Sequence, residues 1–229
     1  MSVLAIIPAR GQSKGLPGKN IKSFNGLPLI AHSINVALAS KFTDRVIVST
    51  DDEEIASIAR SYGANVPYLR PEEIAGDKST DQEYLRHAIN WFNKQGESYE
   101  TIVLLRPTCV FRTSDEIDKA INKLISSDFD SVRGVSEVSY SPYWMKKKDD
   151  DRLVSFISSD YEYSLRQSLP EVVQANGAVD VLRSSVIIEH HNIYGENIGF
   201  LDMDEVSRTD IDTKLDFMIA EFLHQNYQS

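Results

Sequence analysis

"VLAIIPARGQSKGLPGKN", residues 3–20, joins an apolar run to a loop of glycine, proline and cations. VLAII reads as a strand buried on both faces, because no polar residue alternates with the apolar ones. The thirteen residues that follow, PARGQSKGLPGKN, hold three glycines, two prolines and three cations. Glycine and proline at this density end the strand in a loop. A glycine-rich turn after the first strand of an α/β sheet leaves backbone N–H groups facing an anion at the strand's carboxyl end, where such folds bind ligands. Arg10, Lys14 and Lys19 recur every four or five residues along this non-helical path, a spacing that lets them converge on a polyphosphate. A basic surface loop without a ligand is the plain alternative. The stretch is not a Walker loop, since no Gly-Lys-Ser/Thr triplet opens a helix, and it lacks the Gly-x-Gly-x-x-Gly dinucleotide fingerprint.

Similar apolar runs follow at RVIVST (45–50), TIVLLRP (101–107), SVRGVSEV (131–138) and NGAVDVL (176–182). Helical patterns lie between or after them. LPLIAHSINVALAS (27–40) has its apolar residues in helical register, and DEEIASIARSYGA (52–64) opens on acids and closes at Gly63. Thr80 with Glu83 forms a capping-box pattern for 80–96; Ser114 opens 114–127, and 213–225 is the terminal helix. This alternation predicts an α/β domain on a mostly parallel sheet. Residues 139–175, rich in Tyr, Ser and charge, break the rhythm and read as a lid or association excursion from a single domain spanning 1–229.

The formal charge of −10 and pI near 5.0 argue against a nucleic-acid surface, so the opening loop is a local basic exception on an acidic body. One cysteine, Cys109, excludes an internal disulfide and a multi-cysteine metal site. Without a basic leader or an apolar run near the ~20 residues that span a bilayer, the expectation is a cytoplasmic protein with no membrane partner. His190 and His191 are adjacent and cannot share a metal from one face.

IIPARGQSKGLPGKN resembles the signature loop of the acylneuraminate cytidylyltransferases, the synthetases that attach CMP to sialic acids, including those of legionaminate type. The resemblance continues in order through VIVSTDDEEIA (46–56), LRPEEIAGDKSTD (69–81), RPTCVFRT (106–113), RQSLP…ANGAV (166–179) and DIDTKLD (210–216). It implies a three-layer α/β/α sandwich of the nucleotide-diphospho-sugar transferase type, with 139–175 as the arm of a homodimer. It also implies transfer of CMP from CTP to an acidic sugar, with pyrophosphate leaving. Ala9, Arg10, Lys14, Lys19 and Asn20 would hold the triphosphate, while Arg70, Thr80, Asp81 and Arg106 would lie around the nucleotide. Charge develops on the α-phosphoryl group and on departing pyrophosphate, so fixed cations there stabilise the transition state, and Arg10, Lys19 and Asp212 are the expected catalytic residues.

In TDIDT (209–213), an extended segment would turn Asp210 and Asp212 to one side. By resemblance the pair holds Mg²⁺, whose ligands are one or two acids plus phosphate and water oxygens. The helix N-cap is the competing role for Asp212, as it is for Asp51 or Asp52 and for Thr80. Arg166, Gln167, Gln174 and Asn176 fall in the acceptor-sugar block, with Arg166 suited to a sugar carboxylate. Two positions depart from the family pattern: many members have glutamine at Arg106 and arginine at Gln174. These departures motivate an alternative, a guanylyl- or other nucleotidyltransferase acting on a sugar phosphate; a third reading is a non-catalytic nucleotide-sugar sensor. The general base stays open between a metal-lowered hydroxyl pKa and an acid such as Asp212.

Overall fold

β1 (Val3–Pro8) runs through the middle of the molecule, its side chains alternating between two buried faces. The structure, a computed structural model, describes residues 2–13 and 15–227. Lys14 lies outside them.

In chain order the elements are β1, a two-residue hairpin β2 (Ser23–Phe24) and β3 (Leu27–Pro28), α1 (Leu29–Ala39), β4 (Arg45–Ser49), α2 (Glu53–Ser61) and α3 (Asp81–Lys94). There follow β5 (Thr101–Leu104), α4 (Ser114–Ile125), β6 (Ser131–Glu137), a second hairpin β7 (Lys146–Asp149) and β8 (Arg152–Ser155), β9 (Val173–Arg183), α5 (Ser184–Glu189), β10 (Ile198–Asp202) and α6 (Lys214–Asn226). The six-stranded sheet has the order β10-β6-β9-β5-β1-β4. Its strands are parallel except β9, which runs against both β5 and β6. The mostly parallel sheet and its two helical layers are those the sequence predicts.

One face of the sheet, with Val3, Ala5, Ile7, Val103 and Val181, packs on Ile30 and Ile34 of α1, Ile55 and Ala59 of α2 and Ile117 and Ile121 of α4. The other, with Leu4, Ile6, Ile102, Leu104 and Leu182, packs on Leu85, Ala88 and Phe92 of α3 and Ile187 of α5. Each large side chain so buried contributes roughly 1.5–3 kcal/mol. A third cluster, Phe24, Leu29, Ile211, Phe217 and Ala220, fastens α6 to the hairpin below the opening loop.

The helix starts refine the reading. Asp52 caps α2, accepting from the N–H groups of Glu54 at 2.8 Å and Ile55 at 3.0 Å. Thr113, one residue before the expected Ser114, caps α4 with Glu116. Thr213 caps α6 with Asp216 as the reciprocal acceptor, which leaves Asp212 out of the capping role. The expected helix at 27–40 begins at Leu29, because residues 27–28 close the β2–β3 hairpin.

β6 and β9 form a long antiparallel pair whose connection is the irregular segment. The excursion expected over 139–175 ends at Val172, since Val173 already pairs with Glu137. It carries the isolated β7–β8 hairpin and short 3-10 turns at Pro142–Trp144 and Arg166–Ser168.

Candidate active site

The parallel strands β1, β4 and β5 end together, and the loops leaving them enclose a cleft of about 470 Å³. Its walls include Arg10, Lys19, Asn20, Arg70, Asp81, Arg106 and Asp212. Four of the six sequence blocks that resemble the cytidylyltransferases, those at 6–20, 69–81, 106–113 and 210–216, therefore converge on one cavity.

The opening loop is held from several sides. Asn20, buried, donates to the Arg10 carbonyl at 3.0 Å, tying the two ends of the loop together. The Gly11 N–H donates to Asp51 at 2.9 Å, and the Ala9 N–H to the Ser49 carbonyl at 3.0 Å. A Cβ at Gly15 would strike the backbone carbonyl of Asp212, so glycine is required where this loop meets the segment before α6. Across that contact Lys19 donates to Asp212 at 2.7 Å and to the Ile211 carbonyl at 3.1 Å. Arg10 reaches over the cleft to Asp77 at 2.7 Å.

Arg70 forms the back wall. Its backbone N–H bonds the Thr50 carbonyl at 2.6 Å, and its buried guanidinium donates to the Ser49 hydroxyl at 3.1 Å and carbonyl at 2.6 Å. The guanidinium carbon lies 4.6 Å from the Tyr84 ring centre, a cation–π contact. Burial lowers the Arg70 pKa, against the opposing pull of Tyr84, Tyr68 and Asp51. Burial, then the charge of Asp81, pushes the Tyr84 phenol well above its ordinary value; it stays protonated and donates to Asp81 at 2.6 Å.

Arg106 follows β5. Its two terminal nitrogens donate to Asp180 at 2.7 Å and Asp81 at 2.5 Å. Burial works against the charged guanidinium, but Asp180 and Asp81 outweigh it and raise the pKa. Cys109 is buried, and burial followed by the nearby Asp210 lifts its thiol to about 11, which removes it as a nucleophile at neutral pH.

Other expected site residues lie outside the cleft wall. The Thr80 N–H and hydroxyl donate to Glu83, so it caps α3, and Ser79 lines the cleft in its place. Asn176 is buried; its amide donates to the Ser136 hydroxyl at 3.0 Å and accepts from the Ala178 N–H at 3.0 Å, bracing the irregular β6–β9 register. Arg166 and Gln167 are exposed on their 3-10 turn and Gln174 is half-buried on β9. Asp210 is exposed, its carboxylate 4.0 Å from Cys109 Sγ.

The sequence reading passed over Asp77, Tyr84 and Asp180. A carboxylate inside the apolar run NGAVDVL was the available signal for Asp180, since a buried charge requires partners. Among the described residues no group of three or more His, Cys, Asp or Glu side chains is gathered to hold a metal. Asp212 nevertheless fits a divalent cation, because Mg²⁺ needs one or two protein carboxylates when phosphate and water oxygens complete its shell. Its side chain is 67% exposed on the cleft rim beside Lys19.

Cations on a glycine-rich loop at the carboxyl ends of parallel strands, facing a carboxylate, define a nucleotidyltransferase. A family profile described as cytidylyltransferase matches residues 4–226, and the chain belongs to that family. It is 36% identical over 228 residues to the CMP-N,N'-diacetyllegionaminic acid synthase of Legionella pneumophila, covering 97% of this chain and 96% of that one. It is 30% identical to the pseudaminic acid cytidylyltransferase of Campylobacter jejuni, covering 100% and 99%. It is 35% identical to the N-acylneuraminate cytidylyltransferase of Escherichia coli O18:K1:H7, where 97% of this chain spans 52% of that protein. The fold matches CMP:2-keto-3-deoxy-manno-octonic acid synthetase complexed with CTP, with a TM-score of 0.76 at 15% identity over the whole of both chains. It also matches 4-diphosphocytidyl-2C-methyl-D-erythritol synthase of Anaerococcus prevotii, with a TM-score of 0.66 at 14% identity, covering 98% and 99%.

Proposed function

We propose that the protein transfers CMP from CTP to the anomeric hydroxyl of a nonulosonic acid of the sialic, legionaminic or pseudaminic type. The observation that carries this reading is the convergence of Arg10, Lys19, Arg70 and Asp212 on one cleft. The relatives' names supply the acceptor class. The anomeric oxygen bonds to the α-phosphorus, the bond to the β-phosphate breaks, pyrophosphate leaves, and the proton leaves the anomeric oxygen. Arg10, Lys14 and Lys19, with Ala9 and Asn20 shaping the loop, bind the triphosphate and offset the charge that builds on it. Arg70 and Asp81 surround the nucleoside, and Thr80, capping α3, holds the start of that helix beside it. Asp212 with Asp210 would hold Mg²⁺, which when bound neutralises triphosphate charge.

Arg106 prompted the alternative with a different base and a sugar phosphate. Its charge is taken up by Asp81 and Asp180, so it does not present an uncompensated cation to a base. This favours CTP.

Of the acceptor residues of this reading, Arg166, Gln167 and Gln174 belong to the segment that leads into and opens β9, and Asn176, hydrogen-bonded to Ser136 and Ala178, shapes that segment rather than touching the sugar. The same segment is the proposed homodimer arm: Tyr163 is 88%, Leu153 71%, Leu165 67% and Phe156 64% exposed in the single chain. Large exposed apolar side chains concentrated in one stretch of chain support an interaction surface there. The reading places the enzyme in the cytoplasm, and among the described residues no helix is long and apolar enough to cross a membrane.

The test is pyrophosphate release by purified protein with Mg²⁺, each of CTP, GTP, UTP and ATP, and N-acetylneuraminic, N,N'-diacetyllegionaminic or pseudaminic acid. Release with CTP and at least one acid is expected. No release with any acid, or a preference for GTP, would sink the proposal.

A further inference from the structure

Asp180 is fully buried in the middle of β9 and binds two guanidinium groups. One oxygen accepts from Arg106 at 2.7 Å, the other from Arg133 of β6 at 2.9 Å. The register places Asp180 opposite both Leu104 of β5 and Arg133, so the cluster spans three adjacent strands on the α3 and α5 face. Tyr194 closes it, its hydroxyl 3.3 Å from Asp180 and accepting from Arg133 at 3.0 Å, with the Arg133 guanidinium carbon 3.7 Å from its ring centre. Two arginines against one buried carboxylate leave a positive excess, and Asp81 balances it on the second nitrogen of Arg106.

The two carboxylates on Arg106 are not equivalent. Asp180 has no exposure and holds the guanidinium from inside the sheet, whereas the Asp81 side chain is 37% exposed and lines the cleft. The guanidinium edge that faces the cleft therefore already carries a carboxylate, and another carboxylate can replace it without changing the cluster's charge. Location indicates which substrate brings it. Arg70 stands beside β4 and Arg10 follows β1, whereas Arg106 follows β5 and is anchored on β9, the next strands in the sheet order away from β4. The family resemblance set Arg106 beside the nucleotide; its anchoring on β9, the strand that the acceptor block opens, points instead to the acceptor.

We propose that Asp180 is a positioning residue for acceptor selection: it fixes Arg106 as a clamp for the carboxylate of the acceptor acid, which displaces Asp81. This rests on the proposed function above and adds to it a specificity element made of Asp180, Arg106 and Arg133. A fixed guanidinium loses less freedom when it closes on a carboxylate than a mobile one, and its planar fork suits that group.

The experiment measures acceptor KM, and CTP affinity by calorimetry, in wild type, Asp180→Asn, Arg106→Gln and the double variant. The acceptor is whichever of the three acids the wild type uses, and its methyl ester serves as an uncharged probe. Each single variant is expected to raise acceptor KM roughly tenfold or more, with CTP affinity unchanged and the preference for acid over ester reduced. The double variant is expected to be no worse than Arg106→Gln alone, because Asp180 acts through Arg106. Unchanged acceptor KM, an equal loss of CTP affinity, or additive effects would overturn the proposal. If Asp180→Asn does not melt cooperatively, the acid-over-ester preference of Arg106→Gln decides by itself. Wild type that binds CTP but transfers to none of the acids overturns both readings; wild type that transfers while the variants keep their acceptor KM overturns this one alone.

Discussion

Lys19 and Asp212 are separated by 193 residues in the chain and by 2.7 Å in space. The cation expected on the triphosphate and the carboxylate expected on the metal neutralise each other across the cleft. Gly15 and the Asp212 backbone make the approach possible, and the cluster of Ile211, Phe24 and Phe217 beneath holds it.

Lys19→Ala and Asp212→Asn are each expected to lower kcat/KM by roughly a hundredfold or more, the scale of removing one fixed charge from a transition state. Stability changes little, because an ion pair with so exposed a carboxylate contributes about 0–1 kcal/mol. A pyrophosphate assay beside a thermal melt checks both. A large fall in Tm with intact activity would make the pair structural.

Gly15→Ala tests the close approach. The added methyl must push the loop from the segment before α6, so CTP affinity and kcat are both expected to fall while Tm stays within a few degrees. Calorimetry with CTP reports the first and initial rates the second. Full activity would show that the two segments separate freely.

Thr213→Ala removes the cap of α6 one residue from Asp212. The expected cost is about 1 kcal/mol, or roughly 2–4 °C in Tm for a chain of this size. Thr213→Ser, which keeps the hydroxyl, should restore both Tm and rate. Failure of the serine variant to do so would assign the effect to the lost methyl.

The pH dependence of stability follows from His32. Burial lowers its pKa below 6.5, only partly opposed by its hydrogen bond to the Phe24 carbonyl at 2.9 Å, and the neighbouring His224 lowers it further. The unfolded chain then binds a proton that the folded chain refuses, so stability is full above about pH 6.5 and falls as pH drops from there toward the folded pKa. His87, also lowered chiefly by burial, adds to the same slope. His32→Gln is expected to flatten the decline in Tm between pH 7 and 5. An unchanged slope would remove His32 from the account.

Phe156→Glu with Leu165→Glu places charge on the exposed apolar side chains of the arm. Sedimentation is expected to show wild type as a dimer and the variant as a monomer with an unchanged far-UV spectrum. A wild type that sediments as a monomer would end the assignment of the arm.

Much of this was legible in the chain because it is local. VLAII, RVIVST and TIVLLRP are strands with turn residues behind them, and Asp52, Thr80 and Gly63 punctuate their helices as helix-end chemistry dictates. What escaped the sequence depends on pairing. An apolar run does not declare its direction, so NGAVDVL gave no sign that β9 runs against its neighbours. β10 escaped because Ile198 and Phe200 face outward from an edge strand and Gly199 interrupts the run. The site divides in the same way. Arg10, Lys19 and Asp212, which line the cleft, were singled out through motifs, whereas the partners of Arg106 required knowing that residues 81, 106 and 180 meet. Asn176 illustrates the converse: a polar residue in a site-like block whose amide is spent bracing a register shift.

The reversed β9 has a consequence for how such a protein can change. Because β9 begins beside the end of β6, everything between Val138 and Val172 leaves and re-enters the sheet at the edge where β1 and β5 deliver their loops. That stretch behaves as a replaceable cassette: it can be lengthened, shortened or rewritten without disturbing a crossover helix or the strand that begins the opening loop. On the proposed function, such revision would alter Arg166 and Gln167 of the acceptor block while Arg10, Lys19 and Arg70, which line the cleft, stay as they are.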